Sequence, residues 1–166
     1  MEETRQNQGG IPLKTGSVTV PSAMYESINQ ICITRSPEEG CGVLFGYPTD
    51  AEASEFTVTG CAFLKNAASD SCRRFQFDPV EWVPIVMNER HRLIGTFHSH
   101  PVTSAFPSEE DLSSEWSCLP VHVIVSLLPS PNWFAYANLQ PNKNHSTGFP
   151  RSEWFNGLNI HISPQA

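Results

Sequence analysis

The decisive stretch of the chain is LIGTFHSHPVTSAFPSEED, residues 93–111. Its first five residues are apolar or small and predict a buried strand that ends near His98. Side chains in a strand alternate between the two faces, so His98 and His100 should point to the same side. The segment Ser108 to Asp111 has the pattern of a capping box, which predicts a short helix with acids in its first turn. The stretch therefore predicts a strand, a loop and a helix start.

Two imidazoles and a carboxylate form a ligand set for zinc. His98, His100 and Asp111 can share one ion if the loop of residues 101–107 folds back over the end of the strand. Three protein ligands leave a fourth tetrahedral position open for water, which is typical of a hydrolytic rather than a structural zinc. The pattern predicts a catalytic zinc site. The alternative for Asp111 is an acid that only favours the helix start.

Hydrolysis at zinc also needs a carboxylate that moves a proton. Glu39 precedes the short apolar run of residues 41–46, a predicted buried strand that would carry Glu39 toward the metal if it lies beside the His98 strand. Glu38 is the competing candidate. Ser108, held at a helix start, is a candidate donor to the oxygen of a tetrahedral intermediate, and it is also a candidate N-cap.

Composition limits the class of protein. The chain has 166 residues, of which 39% are hydrophobic and 16% charged, which suits one domain. We predict a flexible leader at residues 1–15 and a single domain at residues 16–166. The polar start resembles neither a signal peptide nor a transit sequence, and no apolar run approaches the roughly 20 residues of a membrane span. A cytoplasmic protein without membrane contact is therefore expected.

Charge and cysteine content exclude other classes. The net charge of −7 and the lack of a basic cluster argue against nucleic-acid binding. Five cysteines without a C-x-x-C pair predict reduced, mostly buried thiols rather than disulfides or a zinc knuckle. The four histidines outside the decisive stretch are expected to be surface or supporting residues: His91, His122, His145 and His161.

The pattern along the chain predicts an α/β fold with a mixed, mostly antiparallel sheet flanked by helices. Helices are expected from a Ser22 cap and from Asp78-Pro79 to about His91, with a kink or late start at Pro84. Residues 158–162 are expected to form an edge strand. The other predicted strands are residues 17–20, 41–46, 55–64, 74–78, 93–98, 121–127 and 133–139.

The motifs together resemble a known family. The JAMM or MPN-plus (Mov34/JAB) zinc metalloproteases carry a glutamate, then H-S-H-P, then S-x-x-D, and the matching positions here are Glu39-Gly40-Cys41-Gly42, His98-Ser99-His100-Pro101, Ser108 and Asp111. Flanking segments extend the resemblance over roughly residues 17 to 140: Pro37 to Gly46, Asn66 with Arg73 to Pro79, and Val123 to Ser126. The compact chain looks most like the prokaryotic single-domain members.

The resemblance implies a layered, cytidine-deaminase-like architecture and a role for each motif residue. His98, His100 and Asp111 would hold Zn²⁺, Glu39 rather than Glu38 would act as acid and base, and Ser108 would support the oxyanion. The implied activity is hydrolysis of a peptide or isopeptide bond after the C-terminal tail of a ubiquitin-like or sulfur-carrier protein. Two alternatives stay open: a non-catalytic MPN-type scaffold, and a general small-peptide metallopeptidase. The oligomeric state is left open.

Overall fold

The computed structural model describes residues 14–139 and 154–164. Within these residues the chain forms three helices, α1 (Ser22–Arg35), α2 (Pro79–Glu89) and α3 (Glu109–Leu112), and a 3₁₀ turn at Arg90–Arg92. The strands are β1 (Lys14–Pro21), β2 (Cys41–Pro48), β3 (Glu55–Leu64), β4 (Leu93–His100), β5 (Val121–Ser126), β6 (Asn132–Asn138) and β7 (Phe155–Ser163).

The strands close into a barrel in the order β1-β3-β2-β4-β5-β6-β7. Strand β1 is parallel to β3 and β7, and β4 is parallel to β5, whereas the other neighbours are antiparallel. The expected mixed, mostly antiparallel sheet with helices is therefore present. The sheet is closed and not clearly layered, and β7 is not the predicted edge strand because it pairs with both β6 and β1.

Strand β4 lies between β2 and β5 and presents its two faces to different surroundings. Phe97 belongs to the main core together with Ile28 and Cys32 of α1. On the opposite face are Thr96, His98 and His100, because side chains alternate along a strand. The predicted histidines therefore point away from the α1 core. This polar face of β4 carries the candidate site.

The helix starts differ in how they are capped. Asp78 caps α2 as predicted, since its side chain accepts a hydrogen bond from the Val80 N–H and Pro79 occupies the first turn. The α2 helix ends at Glu89, close to the predicted end. The predicted Ser22 cap is wrong: β1 runs directly into α1, Pro21 is the N-cap residue, and no side chain caps the helix.

The predicted strand at residues 74–78 is also wrong. This segment is a loop, joined to the chain after β3 by one isolated bridge between Asn66 and Phe77. Phe77 is buried in a small core beside β2, and Phe75 packs against the same core. The alternation of Phe75 and Phe77 therefore reflects burial of loop side chains and not pairing in a β-sheet.

Some predictions concern residues outside the described ranges. The predicted leader, residues 1–15, falls almost entirely outside them, as does His145. The leader and the domain limits stay predictions. In the part of the chain that is described, no helix combines the length and apolar character needed to traverse a bilayer.

Candidate metal centre

Strand β4 delivers two of the predicted ligands and α3 delivers the third. His98 and His100 lie near the C-terminal end of β4, and their side chains are buried. Asp111 is on α3, which follows the loop of residues 101–107 back toward the strand end. The structure thus brings together three side chains that are up to 13 positions apart in the sequence, counting from 98 to 111.

The three side chains converge through their ligand atoms. His98 Nε2 lies 3.1 Å from His100 Nε2 and 3.1 Å from Asp111 Oδ1. His100 Nε2 lies 3.4 Å from Asp111 Oδ2. Zinc bonds to nitrogen or oxygen are about 2.0–2.1 Å long, so tetrahedral ligand atoms should be roughly 3.3–3.4 Å apart. The spacing and the donor set therefore fit a metal ion, and these residues could hold one.

His100 also presents the correct ring nitrogen. Its Nδ1 lies 2.7 Å from the carbonyl oxygen of Ser104. A carbonyl oxygen only accepts, so Nδ1 carries a proton, and Nε2, which faces Asp111 and His98, is the nitrogen left to bind a metal. A hydrogen bond from the distal ring nitrogen is the usual support for a metal-binding histidine. The loop after β4 therefore fixes the tautomer that a metal requires.

The Asp111 carboxylate is held in place by its own helix start. Its Oδ2 accepts a 2.7 Å hydrogen bond from the backbone N–H of Ser108, and the Asp111 N–H donates to Ser108 Oγ over 3.1 Å. The predicted capping box is thus present. Ser108 is half-buried, and its observed contact is that of the N-cap; its role as oxyanion donor stays a prediction.

The pKa values follow from burial and from the convergence of opposite charges. Burial alone would raise the pKa of Asp111, but the charges and hydrogen bonds of His98 and His100 outweigh burial and hold that pKa well below its usual value. Burial alone would lower the pKa of His100, yet its bonds to Asp111 and to the Ser104 carbonyl raise it. The carboxylate is therefore ionised, as a ligand must be.

Glu39 lies beside the cluster, as expected from a strand next to the His98 strand. Cys41 pairs with His98, and the Ser99 N–H donates to the Gly40 carbonyl over 2.9 Å. Continuing this antiparallel register places Glu39 opposite His100, on the same face of the sheet. Glu39 is only 5% exposed, whereas Glu38 is exposed. The structure thus places Glu39, and not Glu38, in a buried position next to the candidate ligands.

The environment of Glu39 suits proton transfer. Desolvation by burial raises its pKa to about 7, although the charges of His98 and His100 oppose the shift. A carboxyl group with a pKa near neutrality can both accept and return a proton, which is the property that general acid and base catalysis requires. The raised pKa arises because the loss of water around this carboxyl outweighs the attraction of the two histidines.

Aromatic side chains and two clefts surround the cluster. The Phe75 ring stacks on the His98 imidazole with 4.5 Å between centroids, and Phe77 packs against Trp116. A cleft of about 330 Å³ is lined by residues that include Phe75 and Trp116. A second, of about 250 Å³, is lined by residues that include Glu39 and Asn66. Residues that neighbour the cluster therefore line both clefts, but none of the three candidate ligands does.

Several supporting residues received no supporting role from the sequence. Phe75 was assigned to a strand, and the Ser104 carbonyl is a backbone group that no side-chain motif reports. Ser99 is buried and its Oγ accepts a 2.8 Å hydrogen bond from the Gly40 N–H, which ties the Glu39 segment to β4. His122, expected at the surface or in a supporting role, is buried beside Thr96. Only the spatial neighbours of these residues reveal what they do.

Fold and site define a class: an α/β domain with a mixed sheet that presents a buried two-histidine, one-aspartate cluster able to hold a metal ion. The family model described as prokaryotic homologues of the JAB domain matches residues 21–138. The chain therefore belongs to the prokaryotic JAB-domain family, as the motifs predicted. No curated protein matches the chain.

Solved structures support the fold. A protein from Desulfitobacterium hafniense, known from its solution structure, has a TM-score of 0.67 and 24% identity over 89% of this chain and 94% of its own. A protein from Salinibacter ruber has a TM-score of 0.56 and 25% identity over 87% of this chain and 91% of its own. The domain is thus similar in extent and topology to small bacterial proteins.

Proposed function

We propose that this protein is a zinc-dependent hydrolase that cleaves a peptide or isopeptide bond after the C-terminal tail of a ubiquitin-like or sulfur-carrier protein. One observation carries the proposal: three ligand side chains converge at 3.1–3.4 Å beside a buried glutamate whose pKa is raised to about 7. A structural site would have no use for the neighbouring proton acceptor. Zinc is the proposed ion because two imidazoles and a carboxylate with an open position are a common catalytic zinc set.

The proposed chemistry divides between the ion and the chain. Bound zinc supplies Lewis acidity, which lowers the pKa of a water molecule toward about 7 and polarises a carbonyl oxygen. Glu39 accepts the proton of the attacking water as the carbon–oxygen bond forms. It then returns this proton to the amine as the carbon–nitrogen bond breaks, so the carboxyl group ends each cycle in its initial state.

Ser108 is proposed to support the oxyanion. Its Oγ accepts from the Asp111 N–H, which leaves the hydroxyl proton available for donation. A donor aimed at the developing negative charge stabilises the transition state more than the substrate. The N-cap bond and the proposed donation use different parts of the same hydroxyl group, so the two roles are compatible.

The proposed substrate class rests on the motif resemblance and on access. Glu39 and Phe75, which neighbour the cluster, each line a cleft, and these two clefts are the proposed places for the tail and the amine. A cytoplasmic setting is part of the proposal. It is supported by the thiols: all five cysteines are free, which suits a reducing compartment.

Metal content and substrate choice test the proposal. Purified protein should hold one zinc per chain, and it should cleave a ubiquitin-like or sulfur-carrier protein conjugated through its C-terminus to an amine reporter. A short peptide with the same tail is the comparison substrate. Preference for the peptide would favour a general peptidase, and a chain without bound metal or turnover would favour a non-catalytic scaffold.

A matched pair of variants tests the role of Glu39. The change Glu39→Gln should abolish turnover while one zinc per chain is retained, because it removes the proton acceptor but none of the three ligands. Glu38→Gln is the control, since Glu38 is exposed and its side chain accepts only from the Ser71 hydroxyl among the hydrogen bonds described, at 3.1 Å. Full turnover by the Glu39 variant with zinc bound would remove Glu39 from the mechanism.

A further inference from the structure

Asn66 makes an unusual number of hydrogen bonds for a single half-buried side chain. It follows β3 by two residues, and both ends of its carboxamide are engaged. Its Nδ2 faces three backbone carbonyl oxygens, those of Glu39 at 3.0 Å, Ser71 at 3.2 Å and Arg74 at 3.0 Å. Its Oδ1 accepts from two backbone N–H groups, those of Ala68 and Gln76, each at 3.1 Å.

One set of these bonds holds the backbone of Glu39. The Glu39 carbonyl accepts from Asn66, and the Glu39 N–H donates to the Ser71 carbonyl over 2.7 Å. Glu39 lies outside the paired part of the sheet, because β2 begins at Cys41. Asn66 therefore binds both the Glu39 carbonyl and the Ser71 carbonyl that receives the Glu39 N–H.

The other set holds the backbone on both sides of Phe75. The Arg74 carbonyl and the Gln76 N–H both bind Asn66, and the Phe75 ring between them stacks on His98. The Asn66 carboxamide thus connects the backbone of Glu39 with the loop that carries Phe75, the ring stacked on His98. Neither contact reaches the His98, His100 and Asp111 cluster directly.

We infer that Asn66 is a positioning residue for the proposed reaction: its carboxamide fixes the location of Glu39 relative to the His98, His100 and Asp111 cluster. This inference rests on the proposed function. Buried carboxyl and ligand atoms must be held to within a fraction of an ångström, and a displacement of about 1 Å can lower a rate about 10²-fold. The requirement is for an amide, because the same side chain must donate to carbonyls and accept from N–H groups.

The sharpest variant is Asn66→Asp, which keeps the shape and the acceptor oxygen but replaces the donor with a charged oxygen facing three carbonyls. We expect kcat to fall about 10²-fold, because Glu39 loses the contact that fixes its position. One zinc per chain should be retained. The control is Asn88→Asp, since Asn88 is exposed on α2 and donates only to the Pro84 carbonyl among the bonds described.

A second measurement does not depend on turnover. Amide hydrogen exchange at Glu39 should accelerate at least tenfold in Asn66→Asp, while exchange at amides in the β5–β6 pair stays within twofold of wild type. If both Asn66→Asp and Asn66→Ala fail to fold, the side-chain amide protons of Asn66 in the native protein become the readout. They should exchange at least tenfold more slowly than those of exposed Asn88.

The results of these experiments distinguish the proposed hydrolase function from the positioning role of Asn66. Failure of the native protein to bind zinc or to cleave any conjugate removes the proposed function, and accelerated exchange at Glu39 in Asn66→Asp would then still support the positioning contact. A folded, zinc-loaded Asn66→Asp protein with native kcat and native exchange at Glu39 overturns the positioning role. So do Asn66 side-chain protons that exchange as fast as those of Asn88.

Discussion

His122 should make the fold sensitive to acid. It is almost fully buried on β5, where its Nδ1 lies 3.0 Å from Thr96 Oγ1 and its Nε2 lies 2.9 Å from the Leu119 carbonyl oxygen. Desolvation by burial lowers its pKa to about 4, so the ring is neutral at pH 7. The carbonyl only accepts, so Nε2 carries the single proton, and Nδ1 accepts from the threonine hydroxyl.

The size of the effect follows from linkage. The pKa of histidine in the unfolded chain is about 6.5, so between about pH 6.5 and pH 4 the unfolded state binds more protons than the folded state. The free energy of unfolding should therefore fall as the pH falls through this window. The full difference is about 3 kcal/mol, of which about 2 kcal/mol should be lost by pH 5. Above about pH 7 the contribution is constant.

Urea unfolding of the metal-free protein at pH 7 and pH 5 measures this loss, and removing the metal keeps zinc affinity out of the comparison. His122→Gln should lose about 2 kcal/mol less than the native chain over this interval, because glutamine does not titrate. His161→Gln, at an exposed position, should behave as the native chain does. Equal losses in native and His122→Gln proteins, or a His122 ring that titrates near pH 6.5 by NMR, would refute the reasoning.

Three further predictions concern packing, capping and metal. Gly42→Ala should destabilise the fold by at least about 2 kcal/mol in urea unfolding, because the added Cβ would meet the Ala62 carbonyl oxygen. The control Gly60→Ala should cost less than about 1 kcal/mol, because a Cβ added there has no neighbouring atom nearer than 3.6 Å. Ser108→Ala should cost about 1 kcal/mol through the lost cap, whereas Ser108→Thr should be nearly neutral. Zinc at 100 times its Kd should raise the free energy of unfolding by about 2.7 kcal/mol, which thermal unfolding measures. The change His100→Asn should remove most of this stabilisation by zinc.

The sequence predicted those parts of the fold that depend on local pattern. Apolar runs located β2, β3 and β4, and the proline after Asp78 located the start of α2. The H-x-H spacing and the S-x-x-D spacing also placed the three candidate ligands on the elements where they lie. Such signals are local because strand alternation and helix capping involve residues only two or three positions apart.

Long-range pairing could not be predicted in the same way. Closure of the barrel requires β1 to pair with β7, although about 140 residues separate Val18 from Ile160 in sequence. No local pattern reports that contact, so β7 was predicted as an edge. Phe75 and Phe77 alternate as strand residues do, but their burial comes from β2 and from His98. Supporting contacts such as Asn66 to Glu39 depend on the same distant packing.

The Ser104 contact has a consequence for how this loop can vary. The acceptor that orients the His100 ring is a main-chain carbonyl, so replacing the exposed Ser104 side chain leaves the acceptor in place. Inserting or deleting one residue between Pro101 and Pro107 would instead move the carbonyl away from the ring. Homologous chains that keep this contact should therefore tolerate many different amino acids at residue 104 but preserve the number of residues in the loop.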